Sequence, residues 1–565
     1  MGSLRRFLVW LLVVLTCGAS LFTAASRLMP EPSRATSDAP IVSDPEELDV
    51  ARVDTGAERP DVVLVLMDDF SLDLLQTMRH ARAMAAAGAS YPNAFVVDSM
   101  CCVSRASILT GQYPHQTGVR TNTANLPNAV GPVGGWEAFR THGNPGRSFN
   151  VRLQRSGYET GFVGKYLNEY SLADGAPAGW SEWRAVSGEA YDGWGFDIVG
   201  RDGSVDRVDT PSATASPVAR DRGYATNVIG GVAVDFVERH RGDAQPYFLM
   251  VSPFAPHSRV GGDGAYPGDP LFPPAIADRP SARRPAGNCG AVSCSSLGLD
   301  DLPGFRDARG DNRPSYDDGR IAPAWRTNAV RLSAAEAVRD LRDRARMAQA
   351  VDRWLGRLID TAGPDAYVFL TSDNGFHLGQ HGLERGKGTP YDSDVHVPLL
   401  VTGPGVAPGP RDDLVTNVDL APTIESLAGL ATPDYRFGTS FDDSLGEPTD
   451  ADRTHVFFEH TWARSLGTAP DKLYGGGTMD LIPSYVAVRS RDGLLVRFDL
   501  DPGWSGTRFA WEFYDYRDDR YERTNTYARA AKRPEVAALR RALGAFLACS
   551  RARRDAAVTA GCRDL

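Results

Sequence analysis

Two acidic pairs and one cysteine-bearing segment hold the residue types that could do chemistry. Asp68 and Asp69 directly follow the apolar run Asp61-Val-Val-Leu-Val-Leu-Met67. Asp373 and Asn374 directly follow a second run, in Thr-Ser-Asp-Asn-Gly. Three carboxylates brought together repel unless a cation neutralises them. Oxygen ligands without a thiolate cage favour a hard cation, calcium or magnesium. Either pair alone reads better as a helix cap, so the argument rests on their meeting. Between them lies Ser99-Met-Cys-Cys-Val-Ser-Arg-Ala-Ser-Ile-Leu-Thr-Gly111.

The elements that must position these residues are legible in outline. Asp61–Met67 and Ala366–Thr371 are continuous apolar runs, as in strands buried on both faces of a parallel sheet. Tyr247–Val251 and Val397–Val401 are runs of the same kind. A helix is predicted from Ser333, where Ser333 and Glu336 have capping-box spacing. Val338, Leu341, Ala345, Ala348, Val351, Leu355 and Leu358 continue at steps of three and four, and Gly363-Pro364 ends it. Strands alternating with helices imply an α/β fold, a large three-layer domain with a mainly parallel central sheet. In such sheets the site lies at the carboxyl ends of the strands, so the two acidic pairs face one crevice. We place this domain at residues 60–445, with a Pro-, Gly-, Asp- and Arg-rich insertion at 262–330. Residues 446–565 read as a smaller C-terminal α+β domain with an antiparallel sheet and a last helix at Pro534–Ala548. No internal repeat is visible.

The segment Cys101-Cys102-Val103-Ser104-Arg105 with Leu109-Thr110-Gly111 resembles the signature of the sulfatase family, within the alkaline phosphatase superfamily. The family pattern is Cys-x-Pro-Ser-Arg followed by Thr-Gly. Further segments resemble it in family order over roughly residues 60–530. They are Asp68-Asp69, Gly164-Lys165-Tyr166, Ala255-Pro256-His257, Ser372-Asp373-Asn374-Gly375 and Gly386-Lys387-Gly388. Glu512–Asp515 with Glu522 and Asn525 resembles the family's C-terminal domain. The resemblance implies a sulfuric ester hydrolase in which Cys101 is oxidised to formylglycine by a formylglycine-generating enzyme. The hydrated aldehyde then attacks sulfur. It also implies a calcium ion held by Asp68, Asp69, Asp373, Asn374 and the modified Cys101. Arg105 would orient the nucleophile, Lys165 and Lys387 would bind sulfate oxygens, and His257 would bind sulfate and protonate the leaving oxygen. His377 would be a further substrate-binding residue.

Two departures stand out: Val103 replaces the usual Pro of the maturation motif, and Leu167 stands where many relatives have a His. The latter, with Cys-Cys at the signature and Gly375-Phe-His-Leu-Gly-Gln380, resembles the branch acting on glucosamine 6-sulfate. The implied substrate is therefore a sulfated carbohydrate. The alternatives are a phosphonate or phosphate monoester hydrolase of the same superfamily, or a non-catalytic sulfated-glycan-binding relative that lost maturation through Val103.

The formal net charge of −10 argues against a general polyanion-binding surface and so against nucleic acid as partner, while leaving room for a locally basic pocket. Arg5 and Arg6 precede the apolar stretch Phe7–Ala25, so residues 1–29 read as a signal peptide or an N-terminal anchor. The membrane is a partner only if that segment is retained. Residues 30–59, rich in Pro, Ser, Asp and Glu, read as a flexible linker. Of the seven cysteines, Cys17 lies in the leader. Cys289 with Cys294 and Cys549 with Cys562 are spaced for two local disulfides, expected in an oxidising compartment. The expected location is outside the cell or on its surface.

Overall fold

The apolar run after residue 60 forms β1 (Asp61–Met67), the middle of a ten-stranded sheet. The computed structural model describes residues 59–565 apart from 125–130, 261, 263, 307–312, 324–331, 449–452, 462–481, 501–507, 551–556 and 564. The expected leader and residues 30–58 of the linker lie outside the described residues. All that is described belongs to one unit, Val50–Leu565.

In chain order the next strands are β2 (Ala89–Ser90), β3 (Ala94–Phe95), β4 (Glu159–Gly164), β5 (Glu182–Gly188), β6 (Phe196–Gly200), β7 (Val205–Val208) and β8 (Tyr247–Ser252). They are followed by β9 (Ala366–Ser372), β10 (His377–Leu378), β11 (Arg385–Gly386), β12 (Leu400–Thr402), β13 (Gly409–Pro410) and β14 (Val415–Thr416). The large sheet runs β13-β2-β12-β9-β1-β8-β4-β5-β6-β7. Its centre, β9-β1-β8-β4-β5, is parallel throughout. Two small ribbons, β10-β11 and β14-β3, stand apart from it.

The period-two alternation of β1 feeds two separate cores, as a sheet covered on both faces requires. Val63, Val65 and Met67 pack with Ile229 and Leu341, from the helices Ala225–His240 and Ala334–Ala362. Val62, Leu64 and Leu66 pack with Ile108, Leu153 and Ile424, from helices on the opposite face. The three-layer architecture follows from that division. The helix Ala334–Ala362 starts in the expected capping box, with Glu336 N–H on Ser333 Oγ at 3.2 Å and Ser333 N–H on Glu336 Oε2 at 3.0 Å. It ends at Gly363, whose φ of 79° only glycine adopts freely.

The run Val397–Val401 behaves differently from the others. Only Leu400–Thr402 is strand, and it pairs antiparallel to β9 and β2. Pro398 offers no amide hydrogen to a ladder, so regular pairing begins beyond it. The described residues of 262–330 form only two short 3-10 turns, Ile276–Asp278 and Leu299–Asp301. This insertion is nonetheless part of the core: Phe272, Leu297, Leu302 and the Cys289–Cys294 disulfide are buried against the long helix face.

Near the C-terminus β15 (Val456–His460), β16 (Tyr485–Arg489), β17 (Gly493–Asp499) and β18 (Phe509–Asp515) form a separate antiparallel sheet. One of its faces, with Phe457, Val488, Leu495 and Phe513, holds Val536, Leu539, Leu543 and Phe546 of the helix Pro534–Cys549. The other, with Val456, Phe458, Leu494 and Val496, packs on Phe95, Tyr391 and Val397. The second expected disulfide, Cys549–Cys562, is also formed. No helix among the described residues is long and apolar enough to cross a membrane.

Candidate active site

Sheet register assembles the site. Met67 of β1 lies beside Ser372 of β9, so Asp68 and Asp373 emerge together at the carboxyl ends of adjacent strands. On the other side of β1, β8 ends at Ser252, and Ser252 is level with Gly164 of β4. Lys165 follows Gly164 directly, and His257 lies in the loop after β8. Four neighbouring parallel strands thus deliver Asn374 and Asp373, Asp68 and Asp69, Ser252 and His257, and Lys165 to one edge. The ribbon β10-β11 pairs His377 with Gly386, the residue before Lys387. Cys101 is the first residue of the helix Cys101–Thr110.

These side chains are all buried. The Cys101 sulfur is 3.7 Å from Asp68 Oδ1 and 3.9 Å from Asp69 Oδ1. Lys165 Nζ lies 2.7 Å from Asp68 Oδ2. Lys387 Nζ touches both Asp69 Oδ1 and the Cys101 sulfur. Arg105 spans the floor: its Nε donates to Asp373 Oδ2 at 2.8 Å, and its Nη1 to the Lys165 carbonyl at 2.7 Å and to Ser252 Oγ at 2.6 Å. Asn374 Nδ2 donates to Asp69 Oδ1 at 2.7 Å, and the Asp69 amide donates to Asp373 Oδ1 at 3.1 Å. His257 donates from Nδ1 to the Ser258 carbonyl at 2.7 Å, which leaves Nε2 3.5 Å from Asp69 Oδ2.

Asp69 has a φ of 61°, a left-handed conformation unusual for an aspartate and of the kind found at functional sites. Arg344 of the long helix holds it there, donating from Nη2 to the Asp69 carbonyl and to Ser71 Oγ.

Burial and charge oppose each other in this cluster. Burial would raise the Asp68 carboxyl, yet Lys165, His257, Arg105 and Lys387 hold it well below its usual range. Asp69 is likewise lowered, burial being outweighed chiefly by Lys387 and His257. Asp373 goes the other way, to about 6, because burial and repulsion from Asp68 outweigh Arg105. Burial pushes the Cys101 thiol up to about 12 despite the two lysines, so the unmodified thiol is a poor nucleophile at neutral pH. His257 is lowered by burial, with Asp69 and Asp68 opposing.

The donor set fits a hard cation. Asp68, Asp69, Cys101 and His257 each offer a ligand atom within 4.8 Å of the others. Asp69 Oδ2 and Asn374 Oδ1 are buried oxygens without a hydrogen-bond partner among the described residues, and such atoms are rarely left unused. Asp68 and Asp69 of this group, with Asn374 Oδ1 and Asp373 beside them, offer the oxygens that a hard divalent cation would take. Arg105 Nη2 is similarly unpartnered, a donor available to an anion.

Asp68, Asp69, Cys101, Arg105, Lys165, His257, Asp373, Asn374 and Lys387 meet in this cluster. His377 is beside it: its Nδ1 is held by Asp394 Oδ1 at 2.9 Å, and its Nε2 is buried without a partner among the described residues. Cys102 points into the hydrophobic core, and its amide donates to Asn122 Oδ1 at 2.9 Å. Residues that the sequence reading passed over are Ser252, Asn122, Asp394, Arg344 and Tyr191. The Tyr191 ring lies 5.3 Å from Lys165 Nζ and 4.6 Å from the His257 ring.

The fold and the order of these residues define a class, and comparison with known proteins agrees: the chain belongs to the sulfatase family. The model of that family, described as Sulfatase, matches residues 60–430. The model described as N-sulphoglucosamine sulphohydrolase, C-terminal, matches residues 379–547. The chain is 31% identical over 400 residues to the N-acetylglucosamine-6-sulfatases of Capra hircus and Homo sapiens. Each alignment covers 68% of this chain, and 62% and 63% of those proteins respectively. The chain thus spans somewhat under two thirds of the length of these curated relatives. Among solved structures, BT4656 in complex with its substrate D-glucosamine-2-N,6-O-disulfate superposes with a TM-score of 0.59 at 19% identity. The match covers 86% of this chain and 97% of that one.

Proposed function

We propose that this protein is an exported sulfatase that hydrolyses sulfate monoesters of sugars, glucosamine 6-sulfate among them, with formylglycine at position 101 and calcium at the aspartate cluster. The observation that carries the reading is the convergence of Asp68, Asp69, Cys101, Arg105, Lys165, His257, Asp373, Asn374 and Lys387 at one sheet edge in a sulfatase-family chain. The similarity to N-acetylglucosamine-6-sulfatases supports the sugar. Extracellular sulfatases among the relatives, and two disulfides, support export.

Calcium would add positive charge for the sulfate oxygens beyond that of Arg105, Lys165 and Lys387, which already pair with the three carboxylates, and formylglycine would supply a hydroxyl nucleophile that the buried thiol cannot match. The chain's own residues do the rest. Lys165 and Lys387 bind sulfate oxygens and compensate the negative charge that otherwise repels a nucleophile. Arg105, locked by Asp373, Ser252 and the Lys165 carbonyl, fixes the first helical turn and so the direction of residue 101. His257 presents Nε2, because its other nitrogen is held by Ser258. In its protonated form it donates to the leaving sugar oxygen, whose alkoxide is a poor leaving group.

The test is turnover by the purified full-length protein of glucosamine 6-sulfate and 4-nitrophenyl sulfate against 4-nitrophenyl phosphate and a phosphonate monoester. We expect the sulfate esters to be hydrolysed with the higher kcat/KM. Faster hydrolysis of the phosphorus esters would replace this reading with a phosphohydrolase.

A further inference from the structure

A cavity of about 330 Å³ opens where the C-terminal sheet meets the segment leading into the helix Cys101–Thr110. Asp98, His115, Glu459, His460 and Tyr485 line it. It adjoins the site just described. Asp98 lies three residues before Cys101 and accepts the Met100 N–H at 2.8 Å through Oδ1. On the other strand of approach, a Cβ built on Gly388, next to Lys387, would stand 3.6 Å from His460 Cε1.

Two pairs of acid and histidine line the cavity, and they behave differently. His115 and Glu459 satisfy each other: His115 Nδ1 is 2.9 Å from Glu459 Oε1, and the His115 amide donates to the same oxygen at 2.8 Å. Asp98 and His460 are only loosely paired. His460 Nδ1 is 3.5 Å from Asp98 Oδ2, an ion-pair contact at the outer limit of hydrogen-bond distance. Asp98 Oδ2 and both nitrogens of His460 are without a hydrogen-bond partner among the described residues. Yet Asp98 is 1% exposed and His460 8%. The His460 ring is stacked on Tyr485, with centroids 5.3 Å apart and planes at 22°, which limits its escape to water. Buried polar atoms are nearly always satisfied, and exceptions grouped on a cavity wall call for a partner from outside the chain, such as water, an ion or a ligand.

We propose that Asp98 and His460 form the subsite for the alcohol half of the substrate, binding adjacent hydroxyls of a sugar ring. The proposal deepens the sulfate-ester reading above and rests on it. A carboxylate oxygen accepts from one hydroxyl, while an imidazole accepts at one nitrogen and donates at the other, which matches the mixed donor and acceptor character of a diol. The cavity volume is within the range of small-molecule sites. A small aryl sulfate has no such hydroxyls, so the pair discriminates in favour of sugars.

The experiment compares the full-length wild type with His460→Ala, His460→Gln and Asp98→Asn. The last keeps an oxygen for the Met100 amide, and Gln keeps one acceptor and one donor. Kinetics on glucosamine 6-sulfate and 4-nitrophenyl sulfate are combined with calorimetric binding of N-acetylglucosamine and with Tm. The ratio of sugar to aryl kcat/KM falls at least tenfold in His460→Ala, mostly through a raised KM for the sugar. N-acetylglucosamine affinity falls in step, and His460→Gln recovers part of both. Equal proportional losses for the two substrates, or an unchanged ratio, would overturn the subsite. Should wild type hydrolyse no sulfate ester yet bind N-acetylglucosamine in a His460-dependent way, the subsite stands and the sulfatase reading fails. Binding that is independent of His460 sinks the subsite alone.

Discussion

Two adjacent cysteines, Cys101 and Cys102, separate chemistry from packing. Cys101 faces two lysines and two aspartates, whereas Cys102 faces the core. Cys101→Ala should lower sulfate-ester turnover by at least about three orders of magnitude, since no formylglycine can form at that position. Cys102→Ala should keep turnover and lose about 1 kcal/mol of stability, readable as a shift in denaturation midpoint. Asp373 is the Arg105 partner, and in the proposed site it is also an oxygen donor to the cation. Asp373→Ala should therefore abolish calcium binding by calorimetry and also destabilise the fold by roughly 3–5 kcal/mol, because it leaves a buried guanidinium unpaired. At this scale the sequence was informative where side-chain type and strand-end position coincide, as for Asp68, Asp69 and Asp373. It was silent on Ser252, Asn122 and Arg344. These reach the site through sheet register and through contacts across 147, 20 and 275 residues, distances over which no local pattern carries a signal.

The helix Cys101–Thr110 shows what the unusual Val103 does and does not disturb. The first amide of this helix in an i to i−4 bond is that of Ser104, donating to the Met100 carbonyl at 2.9 Å. The Val103 amide precedes it in the first turn, where proline is tolerated. Val103→Pro should thus fold with a nearly unchanged Tm. If the maturation enzyme prefers proline, the fraction of chains carrying formylglycine should rise, as measured by aldehyde labelling. The insertion at 262–330 teaches the opposite lesson. Its composition reads as an irregular loop, and it has little regular structure, but Phe272, Leu297 and Leu302 are core residues. Composition reports the lack of periodicity and cannot report burial. Phe272→Ala should cost about 3–5 kcal/mol, like any large aromatic removed from a packed core. Deleting the whole insertion should unfold the domain rather than merely alter specificity. The β12 segment makes the same point on a smaller scale: hydrophobicity marked the run, while Pro398 and antiparallel pairing decided how much of it became strand.

Across the whole molecule a net charge of −10 coexists with a site holding Arg105, Lys165 and Lys387 against Asp68, Asp69 and Asp373. Three buried cations and three buried carboxylates leave the cluster close to neutral, so a bound divalent ion would give it the positive charge that attracts a sulfate monoester, itself a monoanion. Binding of calcium to the folded chain alone should stabilise it by about 2.7 kcal/mol when the free ion is at one hundred times its Kd. Chelation should lower Tm and activity together, and calcium should restore both. A protein whose Tm and turnover ignore chelation would not use this cluster as a cation site.

The central claim is that residue 101 is a formylglycine in the working protein, and mass spectrometry of the peptide spanning residues 101–105, isolated from protein made in its own host, tests it most directly. The account predicts an aldehyde at position 101, trapped by a hydrazide reagent, in a fraction that scales with specific activity toward sulfate esters. An unmodified Cys101 thiol in a preparation that hydrolyses sulfate esters at full rate would contradict it.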